Sequence, residues 1–257
     1  MNTAHAASEG IAIHLSAPVL GHFFGIPLTA TLLTTWVMIA LLLVFAIVAK
    51  RRLAMVPSKT QVAVELFVGG AFDYVADALE DRELAKRFFP LIMSIFVFIF
   101  ALNVIALLPG VDALGMWKIE DGLSEFVPFL HSANTDLNIP IALALIAFFT
   151  VEVTGIAFLG VWKYGSKFIN FASPLAFVIG IIELFSELAR LVSFSFRLFG
   201  NIFAGKTLIL IAIFFVPFIL PVPILAFELF VGFIQAFIFA VLTLFFIKLA
   251  IAEPEHH

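Results

Sequence analysis

The chain has 257 residues, of which 63% are hydrophobic and only 12% charged, and its mean hydropathy is +1.17. A water-soluble domain carries about 25% charged residues, so this composition excludes one, and lipid is the solvent for most of the chain. With no cysteine, disulfides, thiol chemistry and Cys-ligated metals are excluded as well, and neither a cofactor nor a metal is expected.

In chain order, residues 1–28 hold no Lys or Arg, so the basic region of a signal peptide and the arginines of a presequence are missing and the first apolar run is expected to be retained. That run, 23–49, is uncharged and exceeds the roughly 20 helical residues a bilayer core requires. It stops at Lys50, Arg51 and Arg52. Residues 50–87 read as a cytoplasmic loop. Within it, from Lys59 to Glu80, apolar residues recur every three or four positions (Val62, Leu66, Ala71, Val75, Leu79) around Glu65, Asp73 and Asp77, the pattern of an interfacial helix. The second span, 88–111, is interrupted only by Asn103 and closes on the helix stop Leu107-Leu108-Pro109-Gly110. An outside loop, 112–136, leads to a third span, 137–162, whose single charge is Glu152.

The last third predicts a hairpin of two long helices, 174–216 and 224–250, turning at Pro217, Pro221 and Pro223. About 40 helical residues extend roughly 60 Å, twice the bilayer, so a steep tilt is expected. The fold expected is therefore an all-α integral membrane protein, a single membrane domain over 1–257 with about five crossings. Segment 50–87 carries Lys50, Arg51, Arg52, Lys59, Arg82, Lys86 and Arg87, whereas 112–136 carries only Lys118, which places the first inside, the N-terminus outside and the C-terminus in the cytoplasm.

On the first long helix, Glu183, Ser186, Arg190, Ser193, Arg197 and Asn201 fall within an arc of roughly 120°. Charge in lipid costs about 2.5 kcal/mol or more per residue, so a face of this kind needs water or a partner. Arg190 has Glu187 one turn back, a structural pair. Arg197 has Ser193, Phe194, Gly200 and Asn201 as helical neighbours, no carboxylate among them, and a guanidinium that keeps its proton. Its counter-charge must come from elsewhere. Small residues (Ser193, Ser195, Gly200, Ala204, Gly205) allow another helix to approach. Lys206 points about 180° away from Arg197, while Glu228 and Gln235 share a face of the final helix. By the assigned orientation Lys206 and Glu228 lie toward the outside, and Glu183, Ser186 and Ser193 toward the cytoplasm.

The segment Phe196-Arg197-Leu198-Phe199-Gly200-Asn201-Ile202-Phe203-Ala204-Gly205 resembles the signature of subunit a of the rotary F-type ATP synthase. Leu102-Asn103 with Leu107-Leu108-Pro109, Ser132-Ala133 with Asp136 and Asn138, and Gln235-Ala236-Phe237-Ile238-Phe239 extend the likeness over about the whole chain. The resemblance implies a proton-translocating stator subunit without a catalytic site of its own. Its partners would be a ring of subunit c proteolipids, the peripheral-stalk subunit b and the rest of the synthase. Arg197 would face the ring carboxylates, with Asn201 and Gln235 near it and Glu183, Asn103, Lys206 and Glu228 lining or adjoining two offset half-channels. Several family members have an acid at the place of Lys206 and a histidine at that of Glu228, so this polar pair has altered chemistry here. Glu152 lies outside the motif; roughly 22 Å along its helix, it either lines the exit channel or is a paired or snorkelling acid. The absence of a presequence points to a bacterial plasma membrane. Two rival readings are a transporter that clamps a small anion on Arg197, against which the lack of an internal repeat and of paired broken helices counts, and a non-catalytic membrane anchor, which leaves Arg197 unexplained.

Overall fold

A computed structural model describes residues 18–23, 25–108, 110–111, 114–120, 123–168, 173–217 and 219–252. Pro109 of the expected helix stop, Asp112 at the start of the outside loop, and residues 1–17 of the Lys- and Arg-free N-terminal stretch lie outside the described residues.

Two short strands, β1 (Val19–Phe23) and β2 (Ile26–Thr29), pair antiparallel around Gly25, whose φ of 82° suits a residue without a Cβ. Thr29 then starts α1 (Ala30–Arg52) by accepting the Leu32 N–H on its hydroxyl. The helix thus begins inside the apolar run that opens at residue 23, because the cap and the hairpin claim the run's first residues. The buried residues of α1, Ala30, Thr31, Thr34 and Met38, all lie in its first half, and Leu42 packs beside them. Lys50, Arg51 and Arg52 end it, at the negative pole of its dipole.

Ser58 caps α2 (Lys59–Leu79), the amphipathic helix expected from its spacing. Glu80, in the left-handed region at φ 57°, and Asp81, which accepts the Glu83 and Leu84 N–H groups, turn the chain tightly into α3 (Arg82–Leu107). Strands β3 (Gly115–Glu120) and β4 (Leu123–Pro128) form a hairpin within the stretch read from sequence as a loop. A single 3-10 turn, Ala133–Thr135, precedes α4 (Asn138–Leu159). Gly160, at φ 82°, stops α4, and α5 (Val161–Gly165) folds back so that the Tyr164 ring occupies the space a Cβ on Gly155 would need. Ser173 and Pro174 open α6 (Pro174–Phe215), 42 residues without interruption, and Pro221 opens α7 (Pro221–Ile251).

Helices α1, α3, α4, α6 and α7 are the five among the described residues long and apolar enough to cross a membrane; α2 is not. The packed interior has two main parts, both threaded by α7. One joins Val75, Leu79, Phe88, Ile92, Tyr164, Leu244 and Ile247. The other joins Ile95, Ile99, Ala147, Phe194, Leu198 and Phe239, with the Phe194 and Phe239 rings stacked at 4.7 Å between centroids. Outward faces carry Phe45, Phe185, Phe214 and Phe230, apolar surface of the kind that lipid or a partner helix covers.

Candidate functional site

Arg197 sits half-buried on α6. Its Nη2 donates to Ser193 Oγ at 3.3 Å one turn back, and its Cζ lies 5.9 Å from the Phe194 ring centroid. Among the described residues no carboxylate pairs with it. The small residues around it divide between two faces. Ser193, Gly200 and Ala204 open outward with Arg197, and a Cβ on Gly200 would meet nothing within 4 Å. Ser195 and Gly205 face inward instead: Ser195 is 1% exposed and donates to the Leu191 carbonyl, and Gly205 receives the Glu228 carboxylate of α7. The close helix approach expected from these small residues is met at Gly205 by α7 of the same chain, while Ser193, Gly200 and Ala204 stay open to a further helix.

Toward the end of the bundle that holds residues 131–136, a buried polar network surrounds Asn103. Its Nδ2 donates to the Gly232 carbonyl at 2.9 Å and its Oδ1 accepts from Asn134 Nδ2 at 2.8 Å. Thr31 Oγ1 donates to Asp136 Oδ2 at 2.9 Å, Thr34 Oγ1 accepts the His131 N–H at 2.9 Å, and Asp136 Oδ1 holds Asn138. These bonds tie the 131–136 segment into the wedge between α1, α3 and α6. Five buried side-chain atoms in and beside this wedge have no protein partner: Ser132 Oγ, Asn134 Oδ1, Asn201 Nδ2, Glu228 Oε2 and Gln235 Nε2. Buried polar atoms are almost always satisfied, by protein or by ordered water, and such a cluster of exceptions is the chemistry of a hydrated crevice.

At the opposite end lies an ionic cluster. Lys167, in the connection after α5, reaches both Glu183 and Glu187 at 2.9 Å, while Arg190 stands 3.4 Å from Glu183 and 3.8 Å from Glu187. The Arg190–Glu187 pair expected from spacing is thus present, but Glu183 is the nearer acid and Lys167 completes a cluster of four. Arg190 also covers the Phe246 ring at 4.5 Å. Tyr164 donates to Glu152 Oε2 at 3.0 Å, so Glu152 is a hydrogen-bonded acid, and with Glu187 and Arg190 it lines a cavity of about 20 Å³. Burial, with the Glu187 and Glu152 carboxylates nearby, pushes the Tyr164 phenol above its ordinary range, which keeps it a donor. For Lys167, burial disfavours the charge, but the hydrogen bonds to Glu187 and Glu183 outweigh it and hold the ammonium above the usual lysine range. Ser186 stands apart, exposed and bonded back to the Ile182 carbonyl. Lys206 is half-buried next to Gly205.

Arg197 therefore lies between two polar regions, about 10 Å of helix from Arg190 and about 12 Å from Gly205. Tyr164 and Lys167 are additions that spacing alone did not mark. The available signal was a charge deficit: Glu183 and Glu187 on one helical turn have only Arg190 beside them, so a further cation had to come from another segment.

Together these features define a multi-pass helical membrane protein with a lone outward arginine set between two polar clusters. The profile described as ATP synthase A chain matches residues 32–248, and the chain belongs to that family. It is 31% identical to ATP synthase subunit a of Moorella thermoacetica over 234 residues, covering 91% of this chain and 96% of the relative. Against ATP synthase subunit a of Geotalea daltonii the identity is 33%, covering 85% and 86%, and against ATP synthase subunit a 2 of a Bradyrhizobium strain it is 32%, covering 93% and 96%.

Proposed function

We propose that the chain is the proton-translocating stator subunit of a rotary ATP synthase, in which Arg197 is the fixed charge facing a ring of subunit c proteolipids. The observation that carries this reading is the environment of Arg197: no carboxylate partner among the described residues, on a face whose small residues Ser193, Gly200 and Ala204 stand open. An ammonium could shed its proton in such a place; a guanidinium cannot, so its counter-ion arrives with another helix.

The mechanism follows from electrostatics. A ring carboxylate travels through lipid only when neutral, because an unpaired anion there is costly. Facing Arg197 it is held ionised. A proton entering along Asn103, Glu228, Gln235 and Asn201, with Lys206 adjoining, neutralises the carboxylate and frees it to turn into lipid. On its return the approach to Arg197 favours release toward Ser193, Glu183 and Glu152. The five unpartnered polar atoms support hydration on the entry side, and the Tyr164–Glu152–Glu187 cluster supports a polar exit. Arg197 also repels protons and keeps the two paths apart. Each charge crossing gains about 2.3 kcal/mol per 100 mV, so several protons are needed for each ATP.

A 42-residue α6 is about 63 Å long, so the α6–α7 hairpin lies steeply tilted and presents a long face to the ring. The basic segment 50–87 faces the cytoplasm, the N-terminus lies outside and the C-terminus inside, in a bacterial plasma membrane. The peripheral-stalk subunit b and the remaining subunits complete the machine, and ATP chemistry resides in them. The test is Arg197→Ala in complexes reconstituted into vesicles: insertion and assembly persist, while proton-driven ATP synthesis and ATP-driven pumping are lost. Retained coupling would refute the reading.

A further inference from the structure

Away from Arg197, an apolar groove of about 380 Å³ runs between α2, α3 and α7, lined among others by Phe67, Gly70, Tyr74, Phe96, Phe233 and Phe237. Its aromatic walls are fixed by mutual contacts: Phe96 and Phe233 meet edge-to-face at 5.7 Å between centroids, Phe67 lies 6.4 Å from Phe96, and Tyr74 lies 6.2 Å from Phe237. Gly70 is open, since a Cβ there would meet nothing within 4 Å. The volume falls in the range of small-molecule sites, about 300–1,000 Å³. An extended hydrocarbon chain matches this almost wholly apolar lining.

Beyond one end of this groove lies a strongly basic segment. Lys50, Arg51 and Arg52 close α1 and Lys59 opens α2, all four exposed, and among the described residues none has an ion-pair partner. Residues 53–58 contain no acid, and the next one, Glu65, accepts a hydrogen bond from Gln61 at 2.7 Å. Gln61 also exchanges two hydrogen bonds with Ala54, its Oε1 accepting the Ala54 N–H at 3.2 Å and its Nε2 donating to the Ala54 carbonyl at 3.0 Å. That exchange pins the end of α1 against the first turn of α2. Four cations are thereby gathered about two helical turns beyond the Leu66–Phe67 end of the groove, with about 12 Å of helix between Lys59 and Phe67.

A hydrocarbon slot with uncompensated cations about 12 Å beyond one end, a headgroup's distance from a buried acyl segment, is the complement of an anionic amphiphile. We propose that the groove is a binding site for one acyl chain of an anionic phospholipid from the surrounding membrane, its headgroup held by Lys50, Arg51, Arg52 and Lys59. The site is independent of proton translocation, and its test reads lipid contact, not coupling.

The assembled complex is placed in phosphatidylcholine vesicles doped with phosphatidylglycerol carrying a diazirine on its acyl chain, and after illumination the labelled residues are mapped by mass spectrometry. A matched series uses the phosphatidylcholine analogue. The expected result is several-fold stronger labelling of Phe67, Phe96, Phe233 and Phe237 by the phosphatidylglycerol probe. Gly70→Leu abolishes labelling there; it fills open space and replaces a helix-interior glycine with a better helix former, so α2 persists. The combined variant Lys50→Gln, Arg51→Gln, Arg52→Gln, Lys59→Gln equalises the two probes. Equal labelling of the unaltered chain by both probes overturns the proposal. So does labelling found in the isolated chain but absent from the complex, because a protein segment would then cover the groove.

Discussion

Glu228 of α7 seats its carboxylate directly on the backbone of Gly205 in α6, where a Cβ would overlap it. The two helices approach here because one contributes no side chain at all, and the acid is buried to 5% exposure with Oε2 unpartnered by protein. Gly205→Ala obliges the end of the flexible Glu228 side chain to swing aside within a buried site, so it is expected to cost about 1 kcal/mol, the low end of overpacking, despite alanine's better helix propensity. Combining it with Glu228→Ala removes the overlap, so thermal unfolding of the four variants in detergent should show a coupling that restores much of the loss. Purely additive effects would place the two residues out of contact.

Asn103 is 1% exposed and joins α3 to both the Gly232 carbonyl and Asn134. Asn103→Ala leaves the buried Asn134 amide without this partner, at about 1–3 kcal/mol, while the Gly232 carbonyl keeps its place in the α7 helical ladder. The expected outcome is a lowered unfolding temperature together with increased trypsin cleavage within 112–136, since Asn134 is one of the bonds that hold this segment in the wedge. A stable variant with an unchanged cleavage pattern would contradict that anchoring.

Lys167 bridges Glu183 and Glu187, and Glu187 has only 4% of its side chain exposed. Lys167→Gln strands that acid with Arg190 alone; because Lys167 itself is 29% exposed, the cost should be about 2 kcal/mol, below the 3–5 of a fully buried pair. The pH dependence has a definite sign. The folded protein holds the ammonium above its unfolded value, so its stabilisation is complete below the ordinary lysine range and disappears as pH rises through the folded value. An unfolding series from neutral to strongly alkaline pH should therefore show a decline in the unaltered chain that Lys167→Gln lacks.

The helical skeleton was legible because lipid imposes one rule, an uninterrupted apolar helix, and runs such as 137–162 obey it visibly. Arg197 was legible for the same reason, as a charge without a local partner. What spacing left open arises from contacts between distant segments. Whether Gly205 faces a foreign helix or Glu228 depends on how α7 lies against α6, and Lys167 reaches Glu187 only because Gly160 stops α4 and folds α5 back onto it. The β3–β4 hairpin escaped because its short strands lie in a stretch whose polar residues read as loop. Thr31 and Asp136, 105 residues apart, carry no mark of their bond in either local sequence.

Gly200 provides the sharpest test of what the open face of α6 is for. It lies three residues beyond Arg197, and a Cβ there would meet nothing within 4 Å in the chain itself. A leucine can therefore be accommodated, and as a helix former it gains up to about 1 kcal/mol over glycine. Gly200→Leu should leave unfolding of the isolated chain unchanged or slightly improved. If a partner helix must approach Arg197 closely, the same substitution separates the arginine from its carboxylate, and because attraction between charges weakens with distance, ATP-driven proton pumping in the reconstituted complex should fall at least tenfold. Pumping at the unaltered rate would mean that the partner does not use this face.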